Sequence, residues 1–379
     1  MIGRVGGAGE FGVYVHIPFC SRRCDYCAFA TWTDRFHLAD EYVEACASQL
    51  RRARLVGDLP SATSVFFGGG TPSLLDPSAL ETILSEVVLA RGAEVTVECN
   101  PETVDESKLR GYRSAGVTRI SFGVQSMVPR VLSSLGRAHS ADSVLSAVAA
   151  AGSAGFGSGS GYNVDLIFGA AGESVQDWET TLTAVLGLDP MPAHVSAYAL
   201  TVEAGTPLAR DAGRHPDPDD QADKYLLADK ILSAAGYSWY EISNWAKPGA
   251  ECVHNRLYWA QGEYLGVGCA AHSHRVSVSS GSARRWWNVR TPDRYIKLVE
   301  GGQPVEAAGE TLDADRRGAE ALELSLRTRW GVPESALPGW RRDADLAGLV
   351  EPASSDGGRL VLTSAGRLLA NEVSVRLVG

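Results

Sequence analysis

The chain has 379 residues, enough for a full-sized catalytic domain and a smaller companion. Its apolar content of 45% and charged content of 21% are those of a globular protein, and no run approaches the ~18 consecutive apolar residues of a membrane span. A net charge of −10 argues against broad nucleic-acid binding, which needs a basic surface to neutralise phosphates, while leaving room for a local basic pocket.

The amino terminus, MIGRVGGAGEFG, lacks the apolar stretch of a secretory signal, so a cytoplasmic location without a membrane anchor is expected. From there to about residue 240, short apolar runs alternate with helical stretches. Strands are predicted at VYVHI (13–17), SVFFGG (64–69), EVTVEC (94–99), RISFGV (119–124), NVDLIFG (163–169) and HVSAYAL (194–200), each closed by Gly, Asn-Pro or a polar turn. Between them lie segments such as DEYVEACASQLRRARL and SALETILSEVVLA, whose apolar residues recur at the helical period. Repeated strand-then-helix units require parallel strands with crossover helices. Six of them predict an α/β fold, a partial (β/α)6 barrel, with reactive residues at the C-terminal ends of the strands. The Gly/Ser-rich GSAGFGSGSG (152–161) reads as a flexible connection, and DAGRHPDPDDQ (211–221) marks a second break.

The predicted organisation is therefore a barrel over 1–240, a connecting segment dense in Trp, Tyr and His over 241–303, and a small winged-helix-like α+β domain over 304–379. That last part, helices followed by a hairpin and a final helix, holds nine Arg and no Lys against twelve Asp and Glu. A DNA-reading module would be basic, so protein docking or a lid is the expected role.

Seven cysteines without an export signal point to metal binding, catalysis or burial rather than to disulfides. Cys46, Cys99, Cys252 and Cys269 are scattered and read as buried small hydrophobes. Cys20, Cys24 and Cys27 instead follow the first strand in a C-x3-C-x2-C spacing. Three thiolates on one short loop can each grip a corner of a cubane iron–sulfur cluster, leaving the fourth iron an exchangeable position. The alternative is a zinc knuckle, which wants a fourth Cys or His close by; His16 and His37 are the nearby candidates. After the second strand, FFGGGTPSLL brings Gly68, Gly69 and Gly70, which let backbone approach a ligand closely. VECNP places Glu98 at the end of the third strand, and SFGVQS places Gln125 at the end of the fourth. LGRAHS supplies Arg137 and NVDLIFG supplies Asp165. Each alone reads equally well as a structural polar residue; together they fall where a barrel builds its site.

With Tyr26 before the last cysteine, this motif resembles the hallmark of the radical S-adenosylmethionine (SAM) superfamily. The resemblance implies that SAM completes the coordination of a [4Fe-4S] cluster, and that Gly69, Gly70 and Thr71 hold the SAM amino group. YVHIPFC, FFGGGTPS, ECNP, GVQS, GRAH and DLIFGAAG are similar to the branch of coproporphyrinogen III dehydrogenases (HemN) and heme chaperones (HemW). That likeness implies that Tyr14 lies against SAM, that Glu98 and Arg137 contact its methionyl part, and that Gln125 and Asp165 hold the ribose hydroxyls. The branch's usual GLPGQT is GAAGES here, without its proline.

Within the branch, three features favour the chaperone side. Phe29 stands where the dehydrogenases keep a further Cys. Only about a dozen residues precede the first strand, so the dehydrogenases' N-terminal lid is expected to be absent. And HNRLYW matches the chaperones' H-N-x-x-Y-W signature through His254, Asn255, Tyr258 and Trp259, with His254 as the expected heme-binding residue. His272 and His274 form an H-x-H pair whose reach to heme or metal stays open. The resemblance thus implies a heme carrier that serves heme-requiring apoproteins, often respiratory and membrane-bound, and that lacks coproporphyrinogen III dehydrogenase activity. The dehydrogenase is the alternative. A third possibility, an interaction protein with a degenerate core, is disfavoured by the intact three-cysteine and Gly-Gly-Thr segments.

Overall fold

The six apolar runs become six parallel strands in a computed structural model that describes residues 10–378, apart from 158, 160 and 354–356. They are β1 (Phe11–Ile17), β2 (Ala62–Gly69), β3 (Leu89–Cys99), β4 (Arg119–Gln125), β5 (Tyr162–Phe168) and β6 (His194–Ala199). Each pairs in parallel with the next. Strand alternation sorts the side chains. Val13, Val15, Val95, Val97, Ile120, Phe122, Val164 and Leu166 are fully buried. The intervening Tyr14, Glu98, Gln125 and Asp165 share the opposite, concave face. The helices of the crossovers cover the buried face. In Ala39–Leu55, for example, Ala39, Tyr42, Val43, Cys46, Ala47 and Leu50 form the buried stripe that helical periodicity requires.

The sheet extends beyond six strands. β7 (Ser238–Glu241) and β8 (Asn244–Ala246) add antiparallel strands beside β6. On the other flank, β9 (Glu263–Val267) pairs with β1 as a seventh parallel strand, and β10 (His272–Val276), β11 (Ala283–Asn288) and β12 (Glu306–Leu312) continue it antiparallel. The twelve strands run β12-β11-β10-β9-β1-β2-β3-β4-β5-β6-β8-β7, an open, curved sheet. Residues 306–312, expected to begin a helical region, are instead strand β12. It is an exposed edge strand whose residues show no apolar alternation to betray it.

The C-terminal residues build a second core around Leu326, Val332, Leu337, Val350, Leu360 and Val373. Helix Ala314–Leu326 packs there with the sheet β13 (Val332–Pro333), β15 (Arg359–Leu362) and β14 (Val350–Pro352), in that order. Arg367 ties this unit to the main body by a two-pronged ion pair with Asp229 (2.9 and 2.5 Å). Among the described residues no helix is long and apolar enough to cross a membrane. Residues 1–9, on which the reading of the amino terminus rests, and two positions of the Gly/Ser-rich connection lie outside the described residues.

Candidate functional site

A cavity of about 630 Å³ opens at the C-terminal ends of the parallel strands and runs along the concave face of the sheet. Cys20, Cys24 and Cys27 line its mouth together with Phe29, which is 65% exposed. Their loop is pinned at its base, where the Cys20 N–H donates to the Trp32 carbonyl (3.1 Å) and Trp32 N–H to that of Pro18 (2.8 Å). All three thiols are free and half-buried. Burial raises the pKa of Cys20 and Cys27, so thiolates there need positive charge or donors beside them. Two donors are already in place: Thr71 Oγ1 donates to Cys20 Sγ (3.6 Å) and Arg137 Nη1 to Cys24 Sγ (3.5 Å). Among the described residues no three His, Cys, Asp or Glu side chains are grouped as they would be around one ion. A cluster that spreads its ligands over separate irons needs no such convergence.

The glycines behind this loop are there for close approach. A Cβ on Gly70 would strike the Phe19 and Ile17 carbonyls and come within 3.1 Å of Cys20 Sγ. Gly69 has φ +110°, and a Cβ there would enter the His16 ring. The N–H of Gly69 donates to Glu98 Oε2 (3.0 Å). Arg137 reaches in from the loop after β4, donating from Nη2 to Asn100 Oδ1 (2.7 Å) and the Gly123 carbonyl (3.0 Å). Its Nε is buried without a partner, a donor open to an anionic ligand. Gln125 sits at φ +63°, an uncommon conformation for a residue with a side chain and of the kind kept where function needs it.

Asp165 accepts from Ser121 Oγ (2.6 Å) and Asn163 Nδ2 (3.2 Å). The chain of bonds continues to Arg119, whose Nε donates to Asn163 Oδ1 (2.9 Å) and whose Nη1 pairs with Glu94 (3.2 Å). Glu94 Oε1 then accepts from the N–H of Val253 (2.9 Å), the start of helix Val253–Trp259. One buried network therefore positions both Asp165 and the helix that carries His254. Ser121 and Asn163 were not singled out from sequence; period-two alternation from Gln125 on β4 and Asp165 on β5 is the signal that marks them.

Tyr14, Gly69, Gly70, Thr71, Glu98, Gln125, Arg137, Asp165 and His254 all line the same cavity as the three cysteines. His254 does so as a wall. Its Nδ1 hydrogen-bonds with Ser64 Oγ (2.8 Å) and its Nε2 with Tyr258 OH (2.9 Å), and its ring stacks against Phe66 and Tyr14. Burial lowers its pKa to about 3, so it is neutral. The expected heme ligand therefore has no ring nitrogen free for an iron. Asn255 and Tyr258 of the same motif line the cavity; Trp259, His272 and His274 are not among the lining residues.

Burial, with a smaller contribution from Asp165, raises Glu98 to about 8. The unfolded chain holds this carboxyl near 4.5, so between 4.5 and about 8 the folded protein binds the extra proton and its stability falls as pH rises. Denaturant titrations of the wild type across that window should show this decline, and Glu98→Gln should flatten it. An unchanged slope would place the titration elsewhere.

The profile of the radical SAM superfamily matches residues 14–185. The chain is 42% identical to heme chaperone HemW of Mycobacterium tuberculosis, over 97% of this chain and 95% of that one. It is 34% identical to heme chaperone HemW of Escherichia coli over 84% of each chain. The fold matches the solved structure of the radical SAM enzyme coproporphyrinogen III oxidase (HemN) from Escherichia coli, with a TM-score of 0.78 at 22% identity, covering 97% of this chain and 89% of that one. With such identity to HemW proteins over nearly its whole length, the chain belongs to the HemW family of the radical SAM superfamily.

Proposed function

We propose that this protein holds a [4Fe-4S] cluster on Cys20, Cys24 and Cys27, binds SAM in the adjoining cavity, and binds heme for transfer to heme-requiring apoproteins. The observation that carries the reading is that three thiols and eight residues of the SAM-binding pattern line one cavity in a chain of the HemW family. When bound, a reduced cluster of this kind supplies an electron that can cleave SAM to a 5′-deoxyadenosyl radical.

The chain's own residues divide the work. Thr71 and Arg137 stabilise thiolate charge at Cys20 and Cys24. Arg137, with its unpaired Nε, is suited to the methionyl carboxylate. Glu98, which burial keeps protonated at neutral pH, would face the ammonium of SAM and, beside that charge, would release its proton to solvent and act as a carboxylate acceptor. Asp165 and Gln125 hold the two ribose hydroxyls, and Tyr14 closes one side. In this reading residues 1–240 form the SAM-binding core and 241–303 a flank that carries the H-N-x-x-Y-W helix. Residues 304–379, with their net negative charge, form a docking unit rather than a DNA reader. The protein acts in the cytoplasm and serves heme-requiring acceptors that include membrane-bound respiratory proteins.

Anaerobic reconstitution with iron, sulfide, SAM and reductant, followed by either hemin or coproporphyrinogen III, tests this. Stoichiometric heme binding without protoporphyrinogen formation is expected. Protoporphyrinogen formed at enzymatic rates would replace the carrier by the dehydrogenase.

A further inference from the structure

The chain has eight histidines. Six hydrogen-bond to the protein: His16 with Tyr14 and Ala30, His139 with Val124, His194 with Tyr240, His215 with Leu208, His254 with Ser64 and Tyr258, and His274 with Gly262. His139 and His194 each keep a buried Nδ1 without a hydrogen-bond partner, but among the described residues only His37 and His272 have neither ring nitrogen hydrogen-bonded to the protein. Both are exposed. What distinguishes them is how the ring is held. His37 lies in the single turn Phe36–Leu38 with no ring against it. His272 begins β10 directly opposite Trp287 of β11, and the two rings stack at 5.5 Å and 27°.

The cross-strand neighbours of this pair are small, while His274 and Arg285 follow it along the same face. Gly266 of β9 runs so close to the His272 backbone that a Cβ there would strike its carbonyl, and Ala308 of β12 pairs with Trp287 on the far side. The two rings rise from a shelf four strands wide, about 14 Å at the usual spacing of strands. The shelf adjoins the cysteine loop. Gly266 pairs with Tyr14 of β1, whose hydroxyl bonds to His16 Nδ1, and His16 Nε2 bonds to the carbonyl of Ala30, the residue after exposed Phe29.

We propose that heme is carried on this shelf, outside the SAM cavity, with a ring nitrogen of His272 as an axial ligand to the iron and Trp287 bracing the imidazole. The assignment rests on the reading of the protein as a heme carrier and names the site that reading lacks. An axial imidazole stands perpendicular to the porphyrin plane. A Trp ring stacked on that imidazole therefore meets the macrocycle edge to face, a favoured aromatic arrangement. The cavity is the poorer host. Its about 630 Å³ are lined by the residues matching the SAM pattern, and its one heme-motif histidine has both nitrogens occupied. An open shelf also leaves the cargo within reach of an acceptor.

The test is anaerobic hemin titration of the full-length, cluster-reconstituted protein, followed by visible absorption and electron paramagnetic resonance. Wild type and His37→Ala should bind hemin stoichiometrically with a histidine-ligated spectrum. His272→Ala should lose that spectrum and bind at least about tenfold more weakly, or about 1.4 kcal/mol. His272→Met should keep binding but shift the spectrum to thioether ligation, and Trp287→Ala should weaken binding while keeping histidine ligation. Because His272 is exposed, cluster content and SAM affinity should match wild type in its variants, which separates ligand loss from misfolding. If wild type binds hemin and His272→Ala retains both spectrum and affinity, the shelf is not the site, although the carrier reading stands. If wild type binds no hemin, both fall.

Discussion

Cys24→Ala should abolish the visible iron–sulfur absorption after anaerobic reconstitution and reduce bound iron and sulfide to background. The cluster would lose one of three legs, and the remaining two thiols lie on a loop that shares its Cys24–Cys27 turn with the missing one, the Cys27 N–H donating to the Cys24 carbonyl (3.2 Å). Arg137 would also lose its sulfur partner and pivot on Asn100 and Gly123 alone. SAM affinity should fall with the cluster, because the open iron and the Arg137 contact are lost together. The fold should survive, since Cys24 is half-exposed at the cavity mouth and outside the hydrophobic core. Cys46→Ala is the control. That thiol is buried beneath Tyr295, its pKa raised by burial, and its removal should cost stability while leaving iron content unchanged. Zinc co-purifying on the three cysteines, or full iron content in Cys24→Ala, would overturn the cluster.

The six parallel strands and the cavity they build were legible because each carries its signal locally. Alternation marks the buried valines and the lumen residues between them, and glycines or Asn-Pro mark where strands stop. β9 was not legible as a barrel strand. Its run, EYLGV, is short, and its partner β1 lies some 250 residues earlier, so only tertiary pairing reveals it. β10 and β11 read as irregular, and β12 as the start of a helical region, because one face is open to solvent and their sequences, HSHRV, ARRWWN and EAAGETL, never alternate cleanly. The case of His254 is more instructive. A histidine among aromatic residues looks like a free ligand in sequence. The Ser64 hydroxyl that occupies its Nδ1 comes from a strand 190 residues away, and no local pattern announces it. His272 has the converse history, since its stacking on Trp287 exists only through the β10–β11 pairing.

The Glu94–Arg119 pair was equally invisible, and its removal should have the largest effect on stability. Arg119 is 1% exposed and Glu94 9%, so Arg119→Ala leaves a carboxylate in the interior without its counter-charge. Breaking a buried pair in this way costs about 3–5 kcal/mol, read as a lowered denaturant midpoint at constant slope. Glu94→Gln should cost less, because the amide oxygen can still accept from the Val253 N–H. Replacing both partners with apolar residues should recover only part of the loss. Arg119 also donates to Asn163 and to the Ala250 carbonyl, and Glu94 holds the start of helix Val253–Trp259, so the pair is embedded rather than isolated. The same variant reports on function through geometry. Asn163 hands its remaining hydrogen bonds to Ser121 and Asp165, so loss of Arg119 loosens the carboxylate proposed to hold the SAM ribose. SAM affinity should therefore weaken in Arg119→Ala under conditions where the protein remains folded. If stability falls by less than about 1 kcal/mol, the network is not the brace that joins the His254 helix to the cavity wall.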